Sequence, residues 1–361
     1  MRKQLLVIVI ILVVFGLVIL SSAGIVEGQK KFGDPYYYLK HQLLFGVIPG
    51  FILFFFLSRI SYTYWRRLAL PILFFALLLM ILVFVPQFGI TLKNVRSWLH
   101  VGSYTFQPAE ALKLGLVIYF AAWFSSRNDR VKDWAYGIVP FFAVMGFVGL
   151  LLMLQPDLGT LVIVIAIALG VYFVAGIQLK DFLIISIVGA VALAGLIVAE
   201  PYRLDRIKSL FDPSNDPRGI SYQVNQSMIA IGSGGLLGVG YGQGTQKLGF
   251  LPETIGDSIF AVIGEELGLV GTVGTIGLLI ALCLTLARIA NATTDRFGQL
   301  YVVGIMTWVM SQAFVNMAAI TGIGPLTGIP LPFISYGGTA LAMLLASMGI
   351  VMNIAKRQTS R

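Results

Sequence analysis

The chain has 361 residues, 58% of them hydrophobic and only 11% charged, with a formal net charge of +9. Soluble domains carry about 25% charged residues, so this composition excludes a water-soluble globular protein and places the chain in a membrane. One cysteine and two distant histidines exclude a disulfide framework and leave no ligand spacing for zinc.

Ten apolar runs approach the ~20 residues needed to cross hydrocarbon. They lie at about 4–22, 42–57, 68–86, 109–124, 136–154, 158–176, 182–199, 259–287, 300–320 and 336–355. Their continuous Leu, Ile, Val and Phe fit helices, whereas a closed barrel needs period-two alternation. The expected fold is therefore an all-α integral membrane protein of ten transmembrane helices, one domain over 1–361, with a large loop at about 200–257 between helices 7 and 8. The first run, after Met1-Arg-Lys-Gln and before Ser21-Ser-Ala-Gly24, resembles a signal peptide, but its apolar part is too long and it reads as helix 1. No tandem period marks a repeat protein, and Cys283 in an apolar run reads as a buried, inert thiol.

Cytoplasmic loops collect Lys and Arg. With the N-terminus inside, the cytoplasmic side holds fourteen cations, from Arg2 and Lys3 to Lys356, Arg357 and Arg361, against Asp129, Asp133, Asp181 and Asp295. The outer side then has eleven cations and twelve acids. Both termini are thus expected in the cytoplasm and the long loop outside. The positive charge is an insertion signal, and no nucleic-acid partner is expected.

Ionisable groups at or within a membrane are costly and mark functional candidates. Three clusters qualify. The first is Asn94-Val-Arg96-Ser-Trp98-Leu-His100, followed by Gln107-Pro108-Ala-Glu110-Ala-Leu-Lys113. Pro108 suits the first turn of a helix, which makes Glu110 and Lys113 i, i+3 neighbours. The pair reads either as a structural ion pair or as a lysine held ready for phosphate beneath Arg96 and Trp98; Trp98 alone reads as an interfacial anchor. The second cluster, Gln155-Pro156-Asp157-Leu-Gly159, is a turn in which Asp157 is a helix N-cap or a supporting group. The third is Glu253-Thr-Ile-Gly-Asp257 before Glu265-Glu266. Asp257 reads as an N-cap or a reactive carboxylate, and Glu265 and Glu266, inside an apolar run, need partners from the basic loop.

That loop is the longest polar stretch of the chain, and loops of this size in compact proteins are functional or disordered. It carries Arg203, Arg206, Lys208, Arg218 and Lys247, which suit an anionic substrate. The loop from Glu200 to Gly256 is expected to be partly mobile and to order on binding, because the stretch from Gly232 to Gly244 is dense in glycine, which is entropically costly to order.

The series Gln107-Pro-Ala-Glu110-Ala-Leu-Lys113, Gln155-Pro-Asp157-Leu-Gly159, Tyr202-Arg203-Leu-Asp-Arg206, Leu251-Pro-Glu253, Asp257, Glu265-Glu266-Leu-Gly268 and Pro325-Leu-Thr-Gly-Ile-Pro330-Leu-Pro332-Phe-Ile-Ser335-Tyr-Gly-Gly338 resembles the FtsW/RodA/SpoVE family, the SEDS proteins. Gly242-Gln-Gly244-Thr-Gln-Lys247-Leu-Gly-Phe-Leu-Pro-Glu253 and Gln312-Ala-Phe-Val-Asn316 resemble the division-type FtsW branch more than the elongation-type RodA branch. The family usually reads His-Thr-Asp-Phe around its acidic residue, where this chain has Ile255-Gly256-Asp257-Ser258. The Asp remains, and roles of the His or Thr do not carry over.

The resemblance implies a peptidoglycan glycosyltransferase of the bacterial cytoplasmic membrane, with its site on the extracytoplasmic face. Such an enzyme polymerises lipid II through β-1,4 linkages and releases undecaprenyl pyrophosphate. Asp257 would be the general base, and Glu110, Lys113, Arg96, Asp157, Arg203, Gln107, Glu253 and Ser335 would bind substrate or support the site. Asp257 and Glu253 would also be the ligands of a divalent cation, Mg2+ or Mn2+, if one is used; no organic cofactor is expected. Implied partners are a class B penicillin-binding protein and other divisome or elongasome membrane proteins. The rival readings are a lipid II flippase or transporter and a non-catalytic divisome scaffold.

The orientation has a direct test. Ser214→Cys or Ser233→Cys should react with a membrane-impermeant thiol reagent applied outside intact cells, and Ser126→Cys should not. The opposite labelling pattern would reverse the topology.

Overall fold

The computed structural model describes residues 1–92, 95–101, 104–126, 138–198, 204 and 220–358. In chain order the helices are α1 Arg2–Ala23, α2 Ile25–Phe32, α3 Tyr37–Gln42, α4 Ile48–Arg59, α5 Tyr62–Arg67 and α6 Ala69–Leu82. After three short strands come α7 Pro108–Ser125, α8 Val139–Leu154, α9 Leu158–Val174, α10 Leu179–Val198, α11 Ile220–Ser233, α12 Ile259–Ala292, α13 Arg296–Ile320 and α14 Gly338–Gln358. A π-helical turn, Leu43–Val47, joins α3 to α4. Among the described residues, six segments are long and apolar enough to cross a membrane: α1, joined α3–α4, α10, α12, α13 and α14. The apolar helices α6, α8 and α9 are shorter.

Two expectations are corrected. The chain is not all-α, because β1 Gly89–Leu92, β2 Val95–Val101 and β3 Tyr104–Phe106 form an antiparallel sheet in the order β1-β2-β3. Its sequence alternates on β2, where Ser97 and Leu99 are buried and His100 is exposed, and period-two alternation is the strand signature. Arg96 pairs with Thr91, and Leu99 with both Gly89 and Phe106. The stretch from 200 to 257 is also not one loop. It contains α11, which buries Ser221, Ser227 and Ala230 and packs against α12.

The helix α13 is central, packed against α7, α9 and α12, and it buries Phe297, Tyr301 and Trp308 completely. The pair α4 and α14 closes another side. Cationic ends gather where Lys3 of α1 and Arg288 of α12 line one groove. The opposite end holds the turns after α1, α9's N-terminus, the segment before α12 and the chain between α13 and α14.

At this opposite end α12 is broken. Gly268 has φ 63° and ψ −156°, which interrupts the helical ladder. Backbone groups released within an apolar bundle need other partners. The glycine-rich segment after α11 supplies them. Val239 and Gly240 donate to the carbonyls of Glu265 and Glu266 at 3.0 and 3.1 Å, and Leu269 and Val270 donate to those of Gly235 and Leu236 at 2.9 and 3.2 Å. The approach leaves no space for side chains. A Cβ on Gly238 would sit 2.2 Å from the Glu266 oxygen, and one on Gly268 would sit 2.3 Å from the Gly238 nitrogen. The glycine density therefore serves a backbone crossing, where the sequence suggested a segment ordered by ligand.

Gly238→Ala should lower the melting temperature sharply, since φ +80° and the clash both oppose it; left-handed strain alone costs about 1–3 kcal/mol. Gly232→Ala, at an exposed position of α11 with no atom near its new Cβ, should be neutral or stabilising. Equal melting temperatures for the two variants would show that the crossing is not tight.

Candidate active site at the polar end of the bundle

A buried ion pair anchors this end. Lys247 donates to Glu266 at 2.5 Å, to the Ser22 hydroxyl at 2.6 Å and to the Gly242 carbonyl at 2.9 Å, which uses all three ammonium protons. Ser22 donates to the same Glu266 oxygen at 2.6 Å, and the Gly242 amide donates to the other at 3.0 Å. Glu265 accepts from the amides of Thr245 and Gln246 at 2.7 and 3.1 Å and from the Thr245 hydroxyl. Both carboxylates are about 1% exposed or less. Burying charge is tolerable when each lone pair is answered, and here the loop answers both carboxylates.

From this anchor the chain runs directly into the Asp257 turn. The amides of Phe250 and Leu251 donate back to the Gln246 carbonyl, and Thr254 donates to Ala23 at the end of α1. Glu253, exposed, adopts the left-handed conformation at φ 52°, unusual without glycine. Its carbonyl accepts from the Gly256 and Ser258 amides, each at 3.1 Å, which closes the turn. The next three carbonyls are all gripped from outside. Ile255 accepts from the Tyr336 amide at 2.8 Å, Gly256 from the Ser335 hydroxyl at 2.7 Å, and Asp257 from the Asn316 side chain at 2.8 Å. Ser335 also accepts from the Leu331 amide, and Gln223 of α11 donates to Ser258. The cap position of α12 is Ser258, so Asp257 is not the N-cap. Its carboxylate, half-buried, faces Gly328, whose added Cβ would lie 3.8 Å away.

The segment 325–335, of which the sequence reading singled out only Ser335 for the site, is thus the hub. Asn316 donates to Ile329 as well as to Asp257, both at 2.8 Å, and Gln312, one turn earlier on α13, donates to Pro330 at 3.0 Å. The Gln312 oxygen in turn accepts from Lys113 at 3.2 Å and from the Trp308 indole at 2.8 Å. Lys113 pairs with Glu110 at 2.8 Å and lies 5.0 Å from the Trp308 ring centroid. Both members of that pair are nearly inaccessible, and the second Glu110 oxygen has no hydrogen-bond partner. The ammonium expected at a phosphate is therefore spent inside α7 and α13.

The other sequence candidates divide. Pro108 begins α7, with the Gln107 carbonyl accepting from the Glu110 amide. Asp157 is the N-cap of α9, one oxygen accepting from the Thr160 amide and the other from its hydroxyl. Its turn touches the hub, because a Cβ on Gly159 would lie 2.7 Å from the Thr327 carbonyl. Arg96 is half-buried on β2, its Nε without a hydrogen-bond partner. Arg203 lies outside the described residues. Among the described residues no group of three or more His, Cys, Asp and Glu side chains converges to hold a metal ion.

Comparison with known proteins agrees with this architecture. The family model for FtsW, RodA and SpoVE, described as cell cycle protein, matches residues 2–360. The chain belongs to this family. It is 36% identical over 354 residues to stage V sporulation protein E of Bacillus subtilis, covering 98% of this chain and 96% of that one. It is 39% identical over 351 residues to a probable peptidoglycan glycosyltransferase FtsW of Trichlorobacter lovleyi, covering 97% and 92%. Among solved structures, a chain from a peptidoglycan synthase complex, studied for the coordination of polymerization and crosslinking, superposes with a TM-score of 0.81 at 30% identity, covering 99% of this chain and 98% of that one. The rod shape determining protein RodA of Thermus thermophilus gives 0.72 at 29% identity, with 98% and 96% covered.

Two residues of this SEDS site escaped the sequence reading. Gln312 and Asn316 are noted there only as a branch signature, yet two amides four residues apart in an apolar helix are themselves a signal, since each must find partners. Asn316→Ala should remove its hydrogen bonds to the Asp257 and Ile329 carbonyls and destabilise the fold by about 1–3 kcal/mol. A melting curve with unchanged midpoint would show that Asn316 does not hold the turn.

Proposed function

We propose that this chain is a peptidoglycan glycosyltransferase that polymerises lipid II, with Asp257 as general base. The observation that carries the assignment of the base is the grip on three successive carbonyls, 255 to 257, by Tyr336, Ser335 and Asn316. A half-buried carboxylate on an immobilised turn is what proton abstraction needs, because positioning precedes proton affinity. Family membership and the names of its relatives support the activity. The fold is proposed to cross the membrane ten times, with the helices α6 to α9 completing the set and Asp257 on the extracytoplasmic side. The distribution of Lys and Arg supports that orientation.

In this reading Asp257 accepts the proton of the acceptor sugar C4 hydroxyl as its oxygen attacks the donor anomeric carbon. The bond to the pyrophosphate breaks on the opposite face, so an α-linked donor yields a β linkage by inversion, without a covalent intermediate. Lys113, Glu110 and Gln312 position the Pro330 carbonyl and through it the hub. Arg96 and Arg203 are left to meet the leaving pyrophosphate. A divalent cation would neutralise its charge, with Asp257 and Glu253 as protein ligands. Two carboxylates without a third fit an ion that arrives with the diphosphate and keeps several waters, the usual manner of Mg2+. The synthase-complex neighbour supports a class B penicillin-binding protein as partner. The division-type branch is supported by FtsW-named relatives.

Asp257→Asn should keep insertion and thermal stability while polymerisation falls at least about a hundredfold, the scale of a lost general base. The assay is glycan strand length on gels, from purified protein with its transpeptidase partner, lipid II and divalent cation. Activity above a tenth of wild type would remove the role of Asp257; a wild-type protein that makes no strands under any condition would remove the polymerase reading itself.

A further inference from the structure

The polar end absorbs the carboxylates, the glycine crossing and the amide pair of α13, and the strongest feature outside it lies at the other end of the bundle. Between the start of α1 and the last turns of α12 is a groove of about 450 Å³ lined by Lys3, Gln4, Val7, Ile8, Ala281, Leu284, Thr285 and Arg288. Its wall is apolar along Val7, Ile8, Ala281 and Leu284. Its mouth carries two exposed cations, Lys3 and Arg288, and among the described residues neither side chain has an ion-pair or hydrogen-bond partner. Among the described residues no acidic side chain lines the groove.

We propose that this groove binds one anionic phospholipid of the inner leaflet, its headgroup phosphate between Lys3 and Arg288 and an acyl chain along the apolar wall. Positive-inside insertion accounts for the cations alone. It does not account for two of them flanking an apolar slot. Dimensions choose a lipid over a partner helix. The lining covers residues 3–8 and 281–288, roughly 10 Å along the axis at 1.5 Å per residue, whereas a spanning helix needs contact over much of the ~30 Å core. One leaflet is about half that thickness, which an acyl chain fills. Basic pockets between membrane helices on the cytoplasmic side are suited to anionic headgroups.

Each nearby cation contributes about 1 kcal/mol towards an anionic lipid, so two give roughly a thirtyfold preference over a zwitterionic one. The experiment is native mass spectrometry of the full chain released from micelles holding equal phosphatidylglycerol and phosphatidylcholine. The wild type should retain phosphatidylglycerol with this preference, and the Lys3→Ala, Arg288→Ala double variant should lose most of it. Ala281→Trp, which fills the wall without changing charge, should lower retention of either lipid. A preference that survives in the double variant, or no preference in the wild type, overturns the site. So does an Ala281→Trp chain that keeps its lipid but no longer co-purifies with a single-pass membrane partner, since the groove would then hold a helix.

Discussion

Glu266 is wholly buried, and the arrangement of the polar end depends on pairing it. A carboxylate withdrawn from water is tolerable only when cation and hydrogen bonds replace the hydration shell. Lys247, Ser22 and the Gly242 amide do so from two different parts of the chain, so α1, the glycine-rich segment and α12 are joined at one point. That junction sets the start of the turn carrying Asp257 only ten residues further on. The Asp257 turn thereby inherits the rigidity of the buried Lys247–Glu266 pair.

The second organising element is the hub at 325–335. Its prolines lack amide donors, and its carbonyls are instead acceptors for the side chains of α13. Through Ile329 and Pro330 it joins the Asp257 turn on one side to the Glu110–Lys113 pair on the other. Residues nearly 150 positions apart are thus linked through one chain of hydrogen bonds.

Much of this was legible in the sequence, and the gaps have physical causes. Long apolar runs revealed the helices because membrane crossing needs continuous hydrophobicity. The need of Glu265 and Glu266 for loop partners followed from the cost of burying charge, and Pro108 and Asp157 announced helix starts by their own stereochemistry. The sheet at 89–106 was hidden by its brevity, between two apolar runs, although the alternation around Trp98 was there to be read. The glycines misled because the same residue serves a flexible chain and a tight crossing, and only the neighbour across the gap distinguishes them. Ser335, suggested by resemblance alone, is tied to the site by a hydrogen bond to Gly256 across 79 residues, a pairing that no local pattern encodes.

The crossing of Gly238 over Gly268 restricts the history of this sequence as well as its shape. A Cβ on Gly238 would run into the Glu266–Leu267 backbone and one on Gly268 into the backbone from Leu236 to Gly238, so neither can change while its opposite backbone stays in position. The two sites are a mutational dead end for single substitutions. Between them the chain leaves the crossing, forms the Asp257 turn and returns, a closed excursion whose ends are pinned. Insertions and deletions can therefore accumulate only where the excursion bulges outward, and the register of α12 beyond Gly268 is insulated from them.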